Sequence, residues 1–364
     1  MGESARLVTS DLPARGREYY SSTVGIWYEV LYSSQEESDV FFKRHRFEET
    51  RCEPKDDGFY SSGDKNKLRK DFSFFKRIGI DYLALDDTNH HMVDNGFIAA
   101  HCDSAFEVAG EMGDLAPDIC IAAGRPLVNA DLPYQKWEMD VYYDYYLNFT
   151  EKYFRWKGKP LYINFNDPWN YGYDDPRFTM RQSSGAASEA HGYESRFQID
   201  KKGVYGWVYV CQFEQSEVYG ITPGWSRSHN GMETFGFKPV SRENGERYRR
   251  EWLNAVKANK EMIVITGWNE HGEETGIEAV TLREPIEGRE LEHLNPYFYE
   301  QMTEGYLALK TGFLENFYYQ SEDSETVYQY QSGALTQAEK VPPMTPVILV
   351  PEDYFEWTGV KING

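Results

Sequence analysis

Two glutamates stand three residues apart in the segment Trp268-Asn269-Glu270-His271-Gly272-Glu273-Glu274-Thr275-Gly276-Ile277-Glu278. Cleavage of a glycosidic bond needs one carboxyl group that protonates the leaving oxygen and a second that acts as nucleophile or base. Glu270 and Glu273 meet that demand in type. If Glu270 ends a strand and Glu273 lies on the following turn, both face one mouth, and mutual repulsion raises one carboxyl toward the acid's role. A solvated acidic loop is the plain alternative for a bare pair. Trp268 and Asn269, immediately before the pair on an apolar run, weigh against it.

Further polar residues follow other apolar runs: Asp86, Asp87 and Asn89, then Asn164, Asn166 and Asp167. Barrel enzymes carry their sites on the face where the carboxyl ends of the strands converge, so these residues and Asn269 and His271 are candidate substrate ligands. Any one of them could equally cap a loop. Trp27, Tyr28, Trp207, Tyr209 and Trp225 sit at strands or strand ends, where a ring can stack on a pyranose or simply pack in the core. Arg181 either binds a substrate oxygen or pairs with Asp167 or Glu270. His229 follows the Pro223-Gly224-Trp225 turn and is a further candidate. His90, His91 and Asp94 carry metal-ligand types, but adjacent histidines ligate together poorly and no third imidazole has suitable spacing. No metal or other cofactor is expected.

The elements that must position these residues are short apolar runs separated by helical patterns. Candidate strands cover 24–32, 82–87, 119–123, 160–165, 178–181, 206–210, 218–223 and 262–266. Helical patterns cover the stretch with Leu68, Phe72, Phe75 and Ile78 on one face, then about 101–112, 134–156, 243–259 and 296–313. Gly79 closes the first of these. Parallel strands need long crossovers, usually helical, and eight such runs predict an α/β fold, a (β/α)8 TIM barrel over residues 21–317. Residues 1–20 read as a short N-terminal tail. Residues 318–364 read as a small β extension packed on the barrel, with strand-like runs at 326–330 and 346–350. An open doubly wound sheet lacks its usual glycine-rich phosphate loop after the first strand.

The chain has 364 residues, 40% of them apolar, enough for one barrel-sized core. Its formal charge of -21 repels phosphate backbones and anionic headgroups, so nucleic acid and membrane surfaces are not expected partners. An aromatic content of 16% suits stacking on sugars. Cys52, Cys102, Cys120 and Cys211 have no metal-ligand spacing, and Cys120 and Cys211 read as buried thiols. No apolar run has the length of a membrane span. The first residues lack the pattern of a signal peptide; with Met1-Gly2 read as replacing an export signal, a secreted or periplasmic origin is favoured over a cytoplasmic one. Asn148-Phe149-Thr150 matches a glycosylation acceptor but falls in a predicted helix.

The segment around Glu270 resembles the Phe-Asn-Glu-Trp-His-Glu-Gly-Thr-Gln-Ile-Glu signature of glycoside hydrolase family 99 and its relatives, which include family 71 and family 99-like domains beside glycosyltransferases. Asn269, Glu270, Glu273, Thr275, Ile277 and Glu278 match without gaps. The resemblance extends through Tyr60-Ser61-Ser62-Gly63-Asp64, Gly79-Ile80-Asp81, Gly158 to Ile163, and Thr222-Pro223-Gly224-Trp225, over roughly residues 23 to 316. It implies a retaining, metal-independent endo-α-mannosidase or mannanase, with an oligosaccharide or polysaccharide as substrate. Glu270 would take the proton from the sugar 2-hydroxyl, giving a 1,2-anhydro intermediate. Glu273 would protonate the leaving group and then activate water. This chain reads Glu-His-Gly-Glu-Glu where the family reads Glu-Trp-His-Glu-Gly, so Glu274 competes with Glu273 for the acid role. Two other readings stand beside hydrolysis: a family 99-like domain acting in glycan transfer, and a barrel that binds glycan without cleaving it.

Overall fold

The computed structural model describes residues 18–32, 50–88, 96–124, 132–164, 174–183, 217–226 and 239–363. The apolar run after residue 22 forms β1 (Thr23–Glu29), and Cys52–Pro54 forms the short β2. Helix α1 (Lys65–Ile78) starts because Asp64 Oδ1 accepts the N–H groups of Asn66 at 2.7 Å and Lys67 at 3.3 Å. Its buried stripe contains Leu68, Phe72 and Phe75. Gly79 ends it as expected: φ is 97° and its N–H donates to the Phe75 carbonyl at 3.1 Å.

Strand β3 (Tyr82–Thr88) then pairs in parallel with β1. The alternation continues through α2 (Gly96–Met112), β4 (Asp118–Gly124) and α3 (Leu132–Asn148). The last of these is shorter than the sequence pattern predicts, because Arg155–Trp156 (β5) folds back antiparallel onto the start of Lys159–Asn164 (β6). The turn between them has Lys157 at φ 51° and Gly158 at φ 85°, which no helix can accommodate. Strands β7 (Thr179–Gln182) and β8 (Val218–Ile221), helix α4 (Glu246–Ala258) and β9 (Met262–Ile265) complete the unit.

The parallel strands are ordered β7-β6-β4-β3-β1-β9-β8. The sheet is curled, since Arg181 on one terminal strand forms an ion pair with Glu217, the residue just before the other. Lys157 joins the same carboxylate at 2.5 Å. Burial opposes ionisation of Glu217, but Arg181 and Lys157 hold its carboxyl below the usual range. This is a barrel-like α/β fold that, among the described residues, is open between β7 and β8. The strand expected at 206–210 lies outside the described residues.

The pleat sends alternate side chains to opposite faces. Tyr28 points outward to α1, where its ring meets Phe72 and Phe75 and its hydroxyl donates to Asp71 at 2.9 Å. Gly25, Trp27 and Glu29 therefore face the interior, in register with Tyr82, Ala84 and Asp86 of β3. Gly25 has to be glycine there, because a Cβ would lie 2.2 Å from the Tyr82 ring.

Beyond the barrel-like sheet, β10 (Val280–Leu282) pairs antiparallel with β2, a ladder between segments more than two hundred residues apart that no local pattern announces. Helices α5 (Glu290–Leu294) and α6 (Phe298–Ala308) follow. A second sheet is built from β11 (Tyr318–Ser321), β12 (Val327–Gln331), β13 (Ala334–Gln337), β14 (Val347–Val350) and β15 (Lys361–Asn363), with α7 (Tyr354–Thr358) before its last strand. It rests on α4 and α6: Trp252 stacks on Tyr306 at 5.3 Å, and the Leu349 N–H donates to the Tyr306 hydroxyl at 3.1 Å. Tyr19 packs edge-on against Tyr354 and Trp357, tying the start of the described chain to the same region. Cys52, Cys102 and Cys120 are buried free thiols; Cys211 lies outside the described residues. Among the described residues no helix is long and apolar enough to cross a membrane.

Candidate active site

After β9 the chain makes a tight reversal. Gly267 takes φ 85°, and the Trp268 N–H extends the ladder by donating to the Trp27 carbonyl at 2.8 Å. The loop closes on itself where the N–H groups of Thr275 and Gly276 both donate to the Glu270 carbonyl, at 3.1 and 2.9 Å. Arg242 clamps it from outside by donating to the carbonyls of Glu274 at 2.7 Å and Gly276 at 2.6 Å. A loop with this many backbone bonds holds its side chains in fixed directions.

Glu270 and Glu273 share this turn. The Glu273 N–H donates to Glu270 Oε1 at 2.7 Å, which fixes the plane of a carboxylate that is only 2% exposed. Glu273 is partly buried, and its Oε2 accepts the Trp225 indole N–H at 3.0 Å. The main chains are joined as well, Ser226 N–H to Glu273 carbonyl at 2.9 Å. Trp225 thus braces Glu273. Glu274 takes a left-handed backbone, φ 55°, and points away to Arg51, whose Nε donates at 2.7 Å, and toward Arg289 at 3.7 Å.

Behind the turn lies a buried ionic network. His271 Nε2 meets Glu278 Oε2 at 2.9 Å, Lys67 Nζ meets Glu278 Oε1 at 2.7 Å, and the Tyr60 hydroxyl donates to Glu278 Oε2 at 2.8 Å. Burial opposes the His271 imidazolium, but the Cys52 and Glu278 side chains outweigh it and push its pKa up to about 9. Burial likewise opposes ionisation of Glu278, yet Lys67 and His271 hold it at about 2. The His271 N–H also donates to the Tyr32 hydroxyl at 2.9 Å. His271 therefore fastens the turn to its surroundings.

The remaining sequence candidates separate clearly. Asn269 accepts the Glu29 N–H at 2.7 Å and donates to the Glu29 carbonyl at 3.1 Å and to the Tyr60 hydroxyl at 3.2 Å; it grips the end of β1. Asp86 faces the interior, while Asp87 accepts the Tyr142 hydroxyl of α3 at 2.7 Å. Trp27 is fully buried in the interior, and Tyr28 belongs to the packing against α1. Arg181 is engaged by Glu217 at the edge of the sheet, not by Glu270. Asn164 is buried at the end of β6. Asn89, His90, His91, Asp94, Asn166, Asp167, Trp207, Tyr209 and His229 lie outside the described residues. Among the described residues no cluster of histidine, cysteine or carboxylate side chains has a metal-holding arrangement.

One site residue escapes sequence reasoning altogether. Glu29 ends β1, is wholly buried, and lies electrostatically close to Asp86, Glu270 and Glu273, whose negative fields add to burial in raising its pKa well above the ordinary value. Its signal is an acidic residue inside an apolar strand, two positions after Trp27 and hence on the same face. A polar cleft touching Thr23, Asp81, Asp118 and Lys152 lies at the opposite, amino-terminal end of the strands.

No family model matches the sequence, and no curated protein matches it significantly. Solved structures do. The GH99 endo-α-mannosidase from Bacteroides thetaiotaomicron in complex with Bis-Tris-propane superposes with a TM-score of 0.57 and 15% identity, covering 78% of this chain and 96% of that one. A second structure of the GH99 endo-α-mannosidase from the same organism gives a TM-score of 0.55, again with 15% identity and the same coverage. At that identity the likeness is one of fold: the chain is structurally similar to GH99 endo-α-mannosidase over most of its length.

Proposed function

We propose that this chain is a retaining, metal-independent glycoside hydrolase that cleaves an α-linked neutral glycan, with mannose-containing chains favoured. The observation that carries the reading is the shared turn of Glu270 and Glu273 at the carboxyl end of β9. There the first carboxylate is fixed by the amide of the second, and the second by Trp225. What supports the reading is that glycoside hydrolysis demands two carboxyl groups, and these two are separately oriented on the face of the sheet where barrel enzymes bind substrates. Likeness in fold to GH99 endo-α-mannosidase, together with the motif around Asn269 and Glu270, supports the choice of sugar.

In the proposed reaction Glu270 removes the proton of the 2-hydroxyl as that oxygen attacks the anomeric carbon. Glu273 delivers a proton to the departing glycosidic oxygen. A water molecule then opens the 1,2-anhydro sugar, giving its proton to Glu273 while the O2 regains one from Glu270, so both carboxyl groups end as they began. The chain's acidity disfavours uronic or sulfated glycans.

The test is a panel of α-linked manno-oligosaccharides and mannans assayed for new reducing ends, with product anomers followed by NMR. Release of an α-configured product by the wild type, abolished in Glu270→Gln and Glu273→Gln, supports the reading. Cleavage undiminished in either variant removes the assignment. An acceptor sugar in excess separates hydrolysis from transfer, and glycan binding without any cleavage identifies a non-catalytic barrel.

A further inference from the structure

Glu29 and Asp86 are register partners on adjacent parallel strands, with both side chains turned to the interior. The Asn269 amide holds Glu29 by its N–H and its carbonyl, so the end of β1 is locked to the turn that carries Glu270 and Glu273. Glu29 is 0% exposed, and no N–H or hydroxyl among the described residues reaches either of its carboxyl oxygens. Asp86 is better served, accepting the Thr88 N–H at 2.8 Å.

Burying a bare carboxylate without donors is too costly to persist. Two carboxyl groups side by side can resolve the cost by sharing one proton, and burial with the neighbouring Asp86 raises the Glu29 carboxyl well above the ordinary range, which favours Glu29 as the donor of the pair. Among the described residues, the titratable groups that act on Glu29 are Asp86 from β3, Glu270 and Glu273 from the turn after β9, and the Tyr32 hydroxyl from the segment after β1. All are acidic or neutral. A protonated Glu29 has a carbonyl oxygen left to accept a hydrogen bond, and a sugar hydroxyl is the donor a glycan would bring.

We propose that Glu29 and Asp86 act as one unit that binds a hydroxyl group of the sugar held at Glu270 and Glu273, making Glu29 a specificity-determining residue of the site. The inference rests on the hydrolase reading for the presence of the sugar. It adds the requirement that this sugar carry an unsubstituted hydroxyl at the position facing β1. A carboxylate or sulfate at that position is rejected by the surrounding acids.

The experiment compares full-length wild type, Glu29→Gln and Glu29→Ala on a cleavable manno-oligosaccharide and on its monodeoxy analogues. Loss of a hydrogen bond to a neutral partner predicts a KM increase of about 10-fold in Glu29→Ala, with little change in kcat. The increase should vanish on the one analogue that lacks the partnered hydroxyl. Glu29→Gln, which keeps a neutral group able to donate to Asp86, should stay within about threefold of wild type by the same reasoning. Unchanged KM in Glu29→Ala, or an equal loss on every analogue, overturns the proposal. If Glu29→Ala does not fold, infrared difference spectra of wild type and Glu29→Gln decide: at neutral pH the protonated-carboxyl band must lose intensity in the variant, the share due to Glu300 being common to both. If wild type cleaves none of the sugars, the hydrolase reading fails separately. The same analogues are then followed by calorimetric binding, where equal affinity for wild type and Glu29→Ala overturns the inference on its own.

Discussion

Glu273 and Glu274 are consecutive, yet their carboxylates are held by different partners in different directions: Glu273 by the Trp225 indole and Glu274 by the Arg51 guanidinium. The left-handed backbone at Glu274 produces the divergence. It favours Glu273 for the proposed acid role, because a carboxylate gripped by Arg51 with Arg289 nearby is suited to a structural one. The two residues should therefore fail in different ways. Glu273→Gln is expected to fold normally and lose a hundred- to ten-thousand-fold, roughly, in kcat. Glu274→Gln should retain kcat per folded molecule and lose about 2 kcal/mol of stability, because Arg51 loses its nearest carboxylate while Arg289 keeps Glu292. Urea titration beside initial-rate kinetics distinguishes the two; a Glu274→Gln protein of full stability and no activity would reverse the assignment.

Trp225 is expected to act on the reaction through Glu273. Trp225→Phe keeps most of the packing and removes the N–H that orients the carboxyl oxygen. Removing one such hydrogen bond is worth about 1 kcal/mol, or several-fold in rate. The expected outcome is a lower kcat with nearly constant KM. A change confined to KM would show that the ring stacks on substrate instead.

How much of this was legible beforehand depends on the range of the interaction. Helix α1 could be read from Asp64, the Leu68, Phe72 and Phe75 stripe, and Gly79, because caps and periodicity are local. The strands of the parallel sheet could be placed for a similar reason, as short apolar runs between helices. Which face a residue occupies could not be read, because strands buried on both sides are apolar throughout. Tyr28 and Trp27 are therefore equivalent in the sequence although one packs on α1 and the other fills the interior, and the sequence does not mark Glu29 as facing inward. Residue type was also more legible than role. Asn269 lies on the turn that its motif marks, but its amide holds Glu29, an arrangement set by the pairing of β1 with β9, strands far apart in the sequence.

The ion pair of Arg181 and Glu217 bridges the two terminal strands of that sheet, with Lys157 adding a second cation. Breaking it should loosen the sheet where its described part is open. Because Lys157 is itself half exposed, Glu217→Gln is expected to cost about 2 kcal/mol, below the usual figure for a fully enclosed pair. Hydrogen exchange should rise in β7 and β8 before β3 and β4. Uniform exchange across the sheet would show that the pair does not hold the edges together.

His271 and Glu278 make the fold's stability depend on pH with a predictable sign. The His271 pKa is about 9 in the folded chain against 6.5 for the free side chain. The folded state therefore binds the proton more tightly, and the stabilisation is complete below 6.5 and is lost as pH rises toward 9. The shift corresponds to a difference on the order of 3 kcal/mol. Glu278 works in the other direction. With its pKa at about 2 against 4.5, its contribution is complete above 4.5 and is lost as pH falls toward 2. Glu300, which burial pushes up to about 8, also weakens the fold as pH rises from 4.5, so the wild-type curve alone does not isolate the histidine. The difference between wild type and His271→Gln does, since Glu300 is common to both. The unfolding free-energy difference should be flat between pH 5 and 6.5 and shrink steadily to pH 9; a difference that stays constant across that interval would mean that His271 is neutral in the folded protein and that Lys67 alone keeps Glu278 ionised.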